Sequence, residues 1–116
     1  MGAPTKGKIV LVPFPFDDLS TTKVRPAVCL TNPLSARHHV VLAFITSQVP
    51  TSPERTDIVL DASAPDFPET GLRVSSTLRL HRLMTVTTAI IRRELGRLSP
   101  PWQAEVNARL RDLFEL

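Results

Sequence analysis

A chain of 116 residues has room for one domain and not two. Its 42% hydrophobic and 22% charged content excludes intrinsic disorder, and no apolar run reaches the roughly 20 residues a membrane-spanning helix needs. A lone cysteine, Cys29, excludes an internal disulfide and a cysteine-built zinc site, while a net charge of +3 leaves an anionic partner open.

The elements follow in chain order. The opening MGAPTKGK lacks the apolar stretch of a secretory signal, so a cytoplasmic location with no membrane contact is expected. Lys8–Val12 is a β-branched run that Pro13 and Pro15 are expected to stop, because proline cannot donate to a ladder. A polar loop, 16–23, leads into a second strand over Pro26–Thr31, closed by the turn signal Asn32-Pro33. His39–Thr46 is the most apolar segment and predicts a strand buried on both faces. Residues 48–55 read as a loop and Asp57–Leu60 as a short strand. Residues 61–71 form an irregular, proline-bearing connection. Ser76–Leu80 alternates like a half-exposed strand, and Thr85–Ile91 is a further β-branched run leading toward Gly96.

Ser99-Pro-Pro-Trp opens the one convincing helix, with Ser99 as N-cap and Pro100 at its first position. Val106, Leu110, Leu113 and Phe114 give it an apolar face, with Arg109, Arg111, Asp112 and Glu115 opposite. Several short strands with turn signals and one terminal helix indicate an α+β, mainly β fold: a small antiparallel barrel or sandwich occupying residues 1–116 as a single domain. So short a chain buries a limited share of its surface, which makes a homodimer an expected way to cover exposed apolar area.

The charge is unevenly spread. Residues 1–72 carry six basic and seven acidic side chains, net −1, whereas residues 73–116 carry eight arginines against four acids, net +4. A basic second half suits nucleic acid, or is simply an arginine-rich solvated face.

The chemistry is narrowed by absences. No His/Cys/Asp set has metal-ligand spacing, four glycines build no phosphate loop, and no Gly-x-Ser-x-Gly elbow is present. No metal or cofactor is therefore expected. His38 and His39 are adjacent on a strand and point to opposite faces, so a surface role is expected of both. Cys29 reads as a buried structural thiol.

Arg25 and Thr46 stand out. A guanidinium presents a planar fork that fits phosphate oxygens at two points. A threonine at a strand end can donate a hydroxyl to a non-bridging oxygen. Together they could hold a phosphodiester, and RNA would bring its own nucleophile, the 2′-OH. The competing reading makes Arg25 a surface charge and Thr46 a hydroxyl that satisfies a loop backbone.

Gly7-Lys-Ile-Val-Leu-Val-Pro-Phe-Pro-Phe16, Arg25-Pro-Ala-Val28, Ala43-Phe-Ile-Thr-Ser-Gln48, Gly71-Leu-Arg73 and the stretch from Ile90 to Ser99, in that order, resemble the MazF/PemK-type toxins of bacterial toxin–antitoxin pairs. The resemblance runs from about Gly7 to Leu116. It implies a homodimer of small SH3-like antiparallel β-barrels with a C-terminal helix. It also implies a metal-independent, sequence-selective endoribonuclease that cuts single-stranded RNA to a 2′,3′-cyclic phosphate and a 5′-hydroxyl. Arg25 maps to the family's acid/base and phosphate clamp, and Thr46 to its assisting threonine. The loop carrying Phe16, Asp18, Ser20 and Lys23 would gate the RNA groove, and Ser47, Gln48 and His81 join these as expected RNA contacts. A cognate antitoxin would block the groove with an acidic segment, and any DNA contact would come through that antitoxin.

Departures from the family pattern are visible as well. Thr21 and Thr22 replace loop glycines, and His81-Arg82 stands where many members have an acid followed by Lys or Gln. His81 is thus an additional proton carrier, a base-edge contact or a surface histidine. Phe14 and Phe16 could both stack on bases, with packing on the core the favoured reading for Phe14, and Trp102 is expected to cap the core or a dimer contact. Arg92, Arg93 and Arg97 line a groove, or point outward from a strand whose Ile90, Ile91 and Leu95 pack inside. The rival function is a non-catalytic toxin on the same barrel that inhibits a protein such as a DNA topoisomerase. A third reading is a relative that binds RNA without cutting it.

Overall fold

The computed structural model describes residues 4–14 and 23–116. Six strands follow in chain order: β1 Lys8–Phe14, β2 Lys23–Cys29, β3 His39–Thr46, β4 Asp57–Leu60, β5 Ser76–Thr87 and β6 Arg93–Arg97. Helix α1, Pro100–Phe114, closes the chain. The strands form one sheet in the order β4-β5-β3-β2-β1-β6, with every pairing antiparallel.

The sheet curls into a half-barrel. Ile9 of β1, Val28 of β2, Ile45 of β3, Leu60 of β4 and Leu78 of β5 share one buried cluster with Leu98 and Val106, so strands from across the sheet meet over one core. Helix α1 and a short 3₁₀ turn, Phe67–Thr70, cover that core. The turn docks on β6 by close backbone approach: a Cβ at Gly96 would sit 2.2 Å from the Glu69 carbonyl oxygen. Gly71, at φ +73°, makes the reciprocal approach to Leu95. The opposite face of the sheet carries a second cluster, Val10, Val12, Ala27, Cys29, Val40, Leu42, Phe44 and Val86. β3 supplies both clusters, as its uninterrupted apolar run predicts.

Several boundaries differ from the sequence reading. β1 runs through Pro13 to Phe14, because β6 pairs only with Lys8–Leu11 and the proline needs no donor toward a second neighbour. β2 starts at Lys23, ahead of Pro26, and ends at Cys29. Ser76–Leu80 and Thr85–Thr87 are two arms of a single strand, β5. Thr88–Ile90 is a 3₁₀ turn, and the final strand is Arg93–Arg97, paired with β1.

The helix starts as its sequence predicts, with Ser99 Oγ accepting from the Trp102 N–H at 3.4 Å. Its buried stripe is Trp102, Val106 and Leu110, whereas Phe114 remains 53% exposed. Arg109 belongs to the inner side: it donates to the carbonyl oxygens of Arg55 (2.7 Å) and Asp57 (3.1 Å) and to Glu105 (2.9 Å). A long, multidentate side chain at a helix flank reaches inward where loop carbonyls need donors.

Candidate functional site

The site grows out of the register between β2 and β3. Ala27 faces Phe44 and Val28 faces Ala43, and the same register carried two residues further sets Arg25 opposite Thr46. The ladder stops at Ala27, next to Pro26, which has no N–H to extend it. Beyond that point the two strands carry polar side chains on the face that holds Ala27 and Phe44. Arg25 is half-buried, with Val12 of β1 on its other side.

β5 supplies the remaining wall. Its pairing with β3 jumps from Ala43↔Leu83 to Phe44↔Arg79, leaving Leu80–Arg82 as a bulge. Bulges bend a strand and re-aim its side chains. Here the bend brings Arg79 and Arg82 beside Arg25. The outcome is a hollow of about 270 Å³ lined by Arg25, Phe44, Ile45, Thr46, Gln48, Arg79 and Arg82. Among these described residues are three guanidinium groups and no carboxylate.

One carboxylate lies behind the wall. Asp57, its side chain fully buried, accepts from Arg79 Nε at 3.2 Å and from the Glu54 N–H at 2.9 Å. Arg79 itself is a third exposed, so the pair fixes one edge of a guanidinium whose terminal amino groups carry four more donors. Thr46 Oγ1 accepts from the Gln48 N–H at 3.2 Å, which leaves the hydroxyl proton to be donated. The Gln48 carbonyl accepts in turn from Thr77 Oγ1 at 2.8 Å, holding the turn after β3 against β5. An apolar floor of Phe44 and Ile45 with three guanidinium groups and the Thr46 hydroxyl around it suits a tetrahedral or trigonal-bipyramidal oxyanion such as a phosphate.

Arg25, Thr46 and Gln48 therefore come together. Ser47 is exposed beside them, and Lys23 is exposed at the start of β2; neither lines the hollow. His81 lines a neighbouring depression with Glu54, Arg55, Thr56 and Arg79, its Nδ1 hydrogen-bonded to Thr56 Oγ1 at 2.7 Å. Phe16, Asp18 and Ser20 lie outside the described residues. Arg79 and Arg82 are the lining residues that sequence reasoning missed. The alternation of Ser76–Leu80 does put Arg79 on its polar face, but the bulge that aims Arg82 has no sequence signal.

Away from the hollow, Cys29 sits on the same face of β2 as Arg25, buried among Ala27, Leu42 and Val86. Burial, and secondarily the charge of Glu94, pushes its thiol up to about 11. Arg97 of β6 and Lys8 of β1 pair loosely with Glu69 and Glu94, respectively, at the surface. Among the described residues, no group of three His, Cys, Asp or Glu could hold a metal ion, and no helix is long and apolar enough to cross a membrane.

Solved structures with the same fold are numerous. The chain superposes on MazF in a MazE–MazF crystal structure from Deinococcus radiodurans with a TM-score of 0.75 at 20% identity, covering 100% of this chain and 99% of that one. It superposes on an endoribonuclease in complex with its cognate antitoxin from a mycobacterial species at 0.72 and 18% identity, covering 98% and 97%. For the Mycobacterium tuberculosis toxin MazF-mt6 the figures are 0.70, 22%, 94% and 97%. Among curated proteins no sequence matches the chain. The family model for PemK-like, MazF-like toxins of type II toxin–antitoxin systems matches residues 5–114, nearly the whole length, and the half-barrel with its terminal helix agrees with it. The chain belongs to that toxin family.

Proposed function

We propose that the protein, acting through residues 1–116 as one toxin domain, is a metal-independent, sequence-selective endoribonuclease. The observation that carries this reading is the hollow that Arg25 shares with Thr46, rimmed by two further guanidinium groups and floored by Phe44. The substrate class is single-stranded RNA. Its 2′-oxygen attacks the adjacent phosphorus, an O2′–P bond forms and the P–O5′ bond breaks, giving a 2′,3′-cyclic phosphate and a 5′-hydroxyl. Arg25 holds the non-bridging oxygens and carries the proton that leaves the 2′-oxygen to the departing 5′-oxygen. Thr46 donates its hydroxyl proton to the charge that builds on phosphorus. Arg79 and Arg82 neutralise the phosphodiester as it enters, and Gln48, with Ser47 and Lys23 at the rim, contacts the chain around it.

The solved structures of the same fold include an endoribonuclease in complex with its cognate antitoxin and a MazE–MazF complex. By analogy, this protein works as a homodimer and is silenced by a cognate acidic antitoxin that covers the arginine hollow, in the cytoplasm. The decisive experiment incubates the purified protein with a long single-stranded RNA in EDTA. Discrete fragments ending in cyclic phosphate support the nuclease. Intact RNA in the presence of folded protein refutes it and favours a toxin that acts by binding a protein.

A further inference from the structure

The hollow around Arg25 has a neighbour. Glu54, Arg55, Thr56, Arg79 and His81 line a second depression of about 400 Å³, within the size range of small-ligand sites. Arg79 belongs to both, so one guanidinium forms the wall between them. That guanidinium is fixed: its Nε is tied to the buried Asp57 carboxylate, and Asp57 is itself held by the Glu54 N–H and, through its carbonyl, by Arg109. His81 is fixed too, since the Thr56 hydroxyl holds Nδ1 and leaves Nε2 as the ring's other polar atom. A cation between two depressions, one beside the reacting phosphate, has the placement of a clamp on a polynucleotide backbone.

Resting on the nuclease reading above, we infer that the second depression is the subsite for the base of a nucleotide flanking the cleaved linkage, and that Arg79 is the positioning residue that holds the phosphate between the two. The lining has a division of labour. Arg79 and Arg55 suit phosphate oxygens. The Glu54 carboxylate only accepts hydrogen bonds, so it favours a base carrying an exocyclic amino group, as cytosine, adenine and guanine do, over uracil, whose edge offers the single N3–H donor. His81 meets the same base edge through Nε2. This subsite is built by β5 and the turn before β4.

The test is a map of 5′-hydroxyl ends released from a long single-stranded RNA by the wild-type, Glu54→Gln, His81→Ala and Arg79→Lys proteins, with steady-state kinetics on one preferred site. The wild type is expected to favour cytosine, adenine or guanine over uracil at one position within two nucleotides of the cut. Glu54→Gln and His81→Ala are expected to reduce that preference about fivefold at this position alone, as removal of one base-edge contact should. Arg79→Lys keeps a cation over Asp57 but loses the fork, so KM should rise about tenfold while kcat changes little. A wild type that cuts, with variants that leave both the preference and KM unchanged, overturns the subsite and leaves the nuclease standing. Lowered melting temperatures with an unchanged base preference also overturn it, because a purely structural role would do that. A folded wild type that cuts nothing overturns the nuclease reading and the subsite together.

Discussion

One face of β2 and β3 has two ends that behave as different materials. Toward Cys29 the face is dry: Val10, Ala27, Val40, Leu42 and Val86 share one buried cluster with the thiol and have almost no exposure. Two positions beyond Ala27 the same face of β2 carries Arg25, opposite Thr46, and opens into a hollow bordered by Arg79 and Arg82. Strand alternation is identical at both ends, so the period-2 pattern alone does not separate core from site. The separation comes from two interruptions, a ladder that ends beside Pro26 and a bulge in β5. The site thus sits on the rigid end of a core rather than on a loop, and its polar groups inherit the positions that packing sets.

The most severe way to break this contrast is to remove the polar end. Arg25→Ala should slow RNA cleavage by about a thousandfold, the scale of losing a main electrostatic stabiliser. The melting temperature should barely move, because the side chain is only half-buried and the neighbouring Val12 and Ala27 remain packed. Cleavage at a tenth or more of the wild-type rate would remove Arg25 from the chemistry. Next in size is Asp57→Ala. Breaking a buried ion pair costs about 3–5 kcal/mol where both partners are buried, and Arg79 is a third exposed and can regain water, so about 2 kcal/mol is expected. Urea unfolding measures it; a loss under about 0.5 kcal/mol would mean the pair contributes no stability.

Much of this was legible in the sequence. Strands β1 to β4 and the terminal helix with its Ser99 cap follow from local chemistry, from β-branched runs and a capping residue, while Arg25 and Thr46 were singled out by their chemistry and by the family resemblance. What was not legible depends on contacts distant along the chain. β5 reads as two short runs because His81 and Arg82 interrupt its apolar pattern; these residues belong to the bulge and to the hollows, and the ladder continues past them. Arg109 reads as solvated because helical periodicity cannot foresee two loop carbonyls 52 and 54 positions away in sequence. The arginine-rich second half therefore divides into structural and site arginines, and composition cannot say which is which.

Arg109 sharpens the contrast from the structural side. Its donors are spent on the Arg55 and Asp57 carbonyls and on Glu105, behind the Arg79 wall and outside the lining of the Arg25 hollow. Arg109→Ala should cost about 1.5 kcal/mol in urea unfolding, from one strong carbonyl bond and a partly exposed network. Cleavage per folded molecule should stay within about threefold of wild type, since no arginine of the hollow is removed. A collapse of activity in a folded Arg109→Ala protein would show that the two arginine clusters are coupled.

The smallest effect belongs to the dry end. Cys29 holds its proton in the folded chain up to about 11, against an ordinary 9.0, because a thiolate among aliphatic side chains and near Glu94 is unfavourable. In the unfolded chain the thiol ionises first, so above 9.0 the unfolded state binds fewer protons and gains free energy relative to the native state. The stabilisation is complete below the ordinary value and is lost as pH climbs toward the folded one, amounting to about 1 kcal/mol near pH 10. Urea unfolding near pH 8 and near pH 10 should show this loss in the wild type, and Cys29→Ala, though less stable throughout for want of a sulfur atom in the core, should show a flatter dependence. Equal slopes in the two proteins would mean that this end of the face admits water. The line between a solvent-free strand end and a phosphate-sized opening, drawn at Ala27, would then have to be redrawn closer to Cys29.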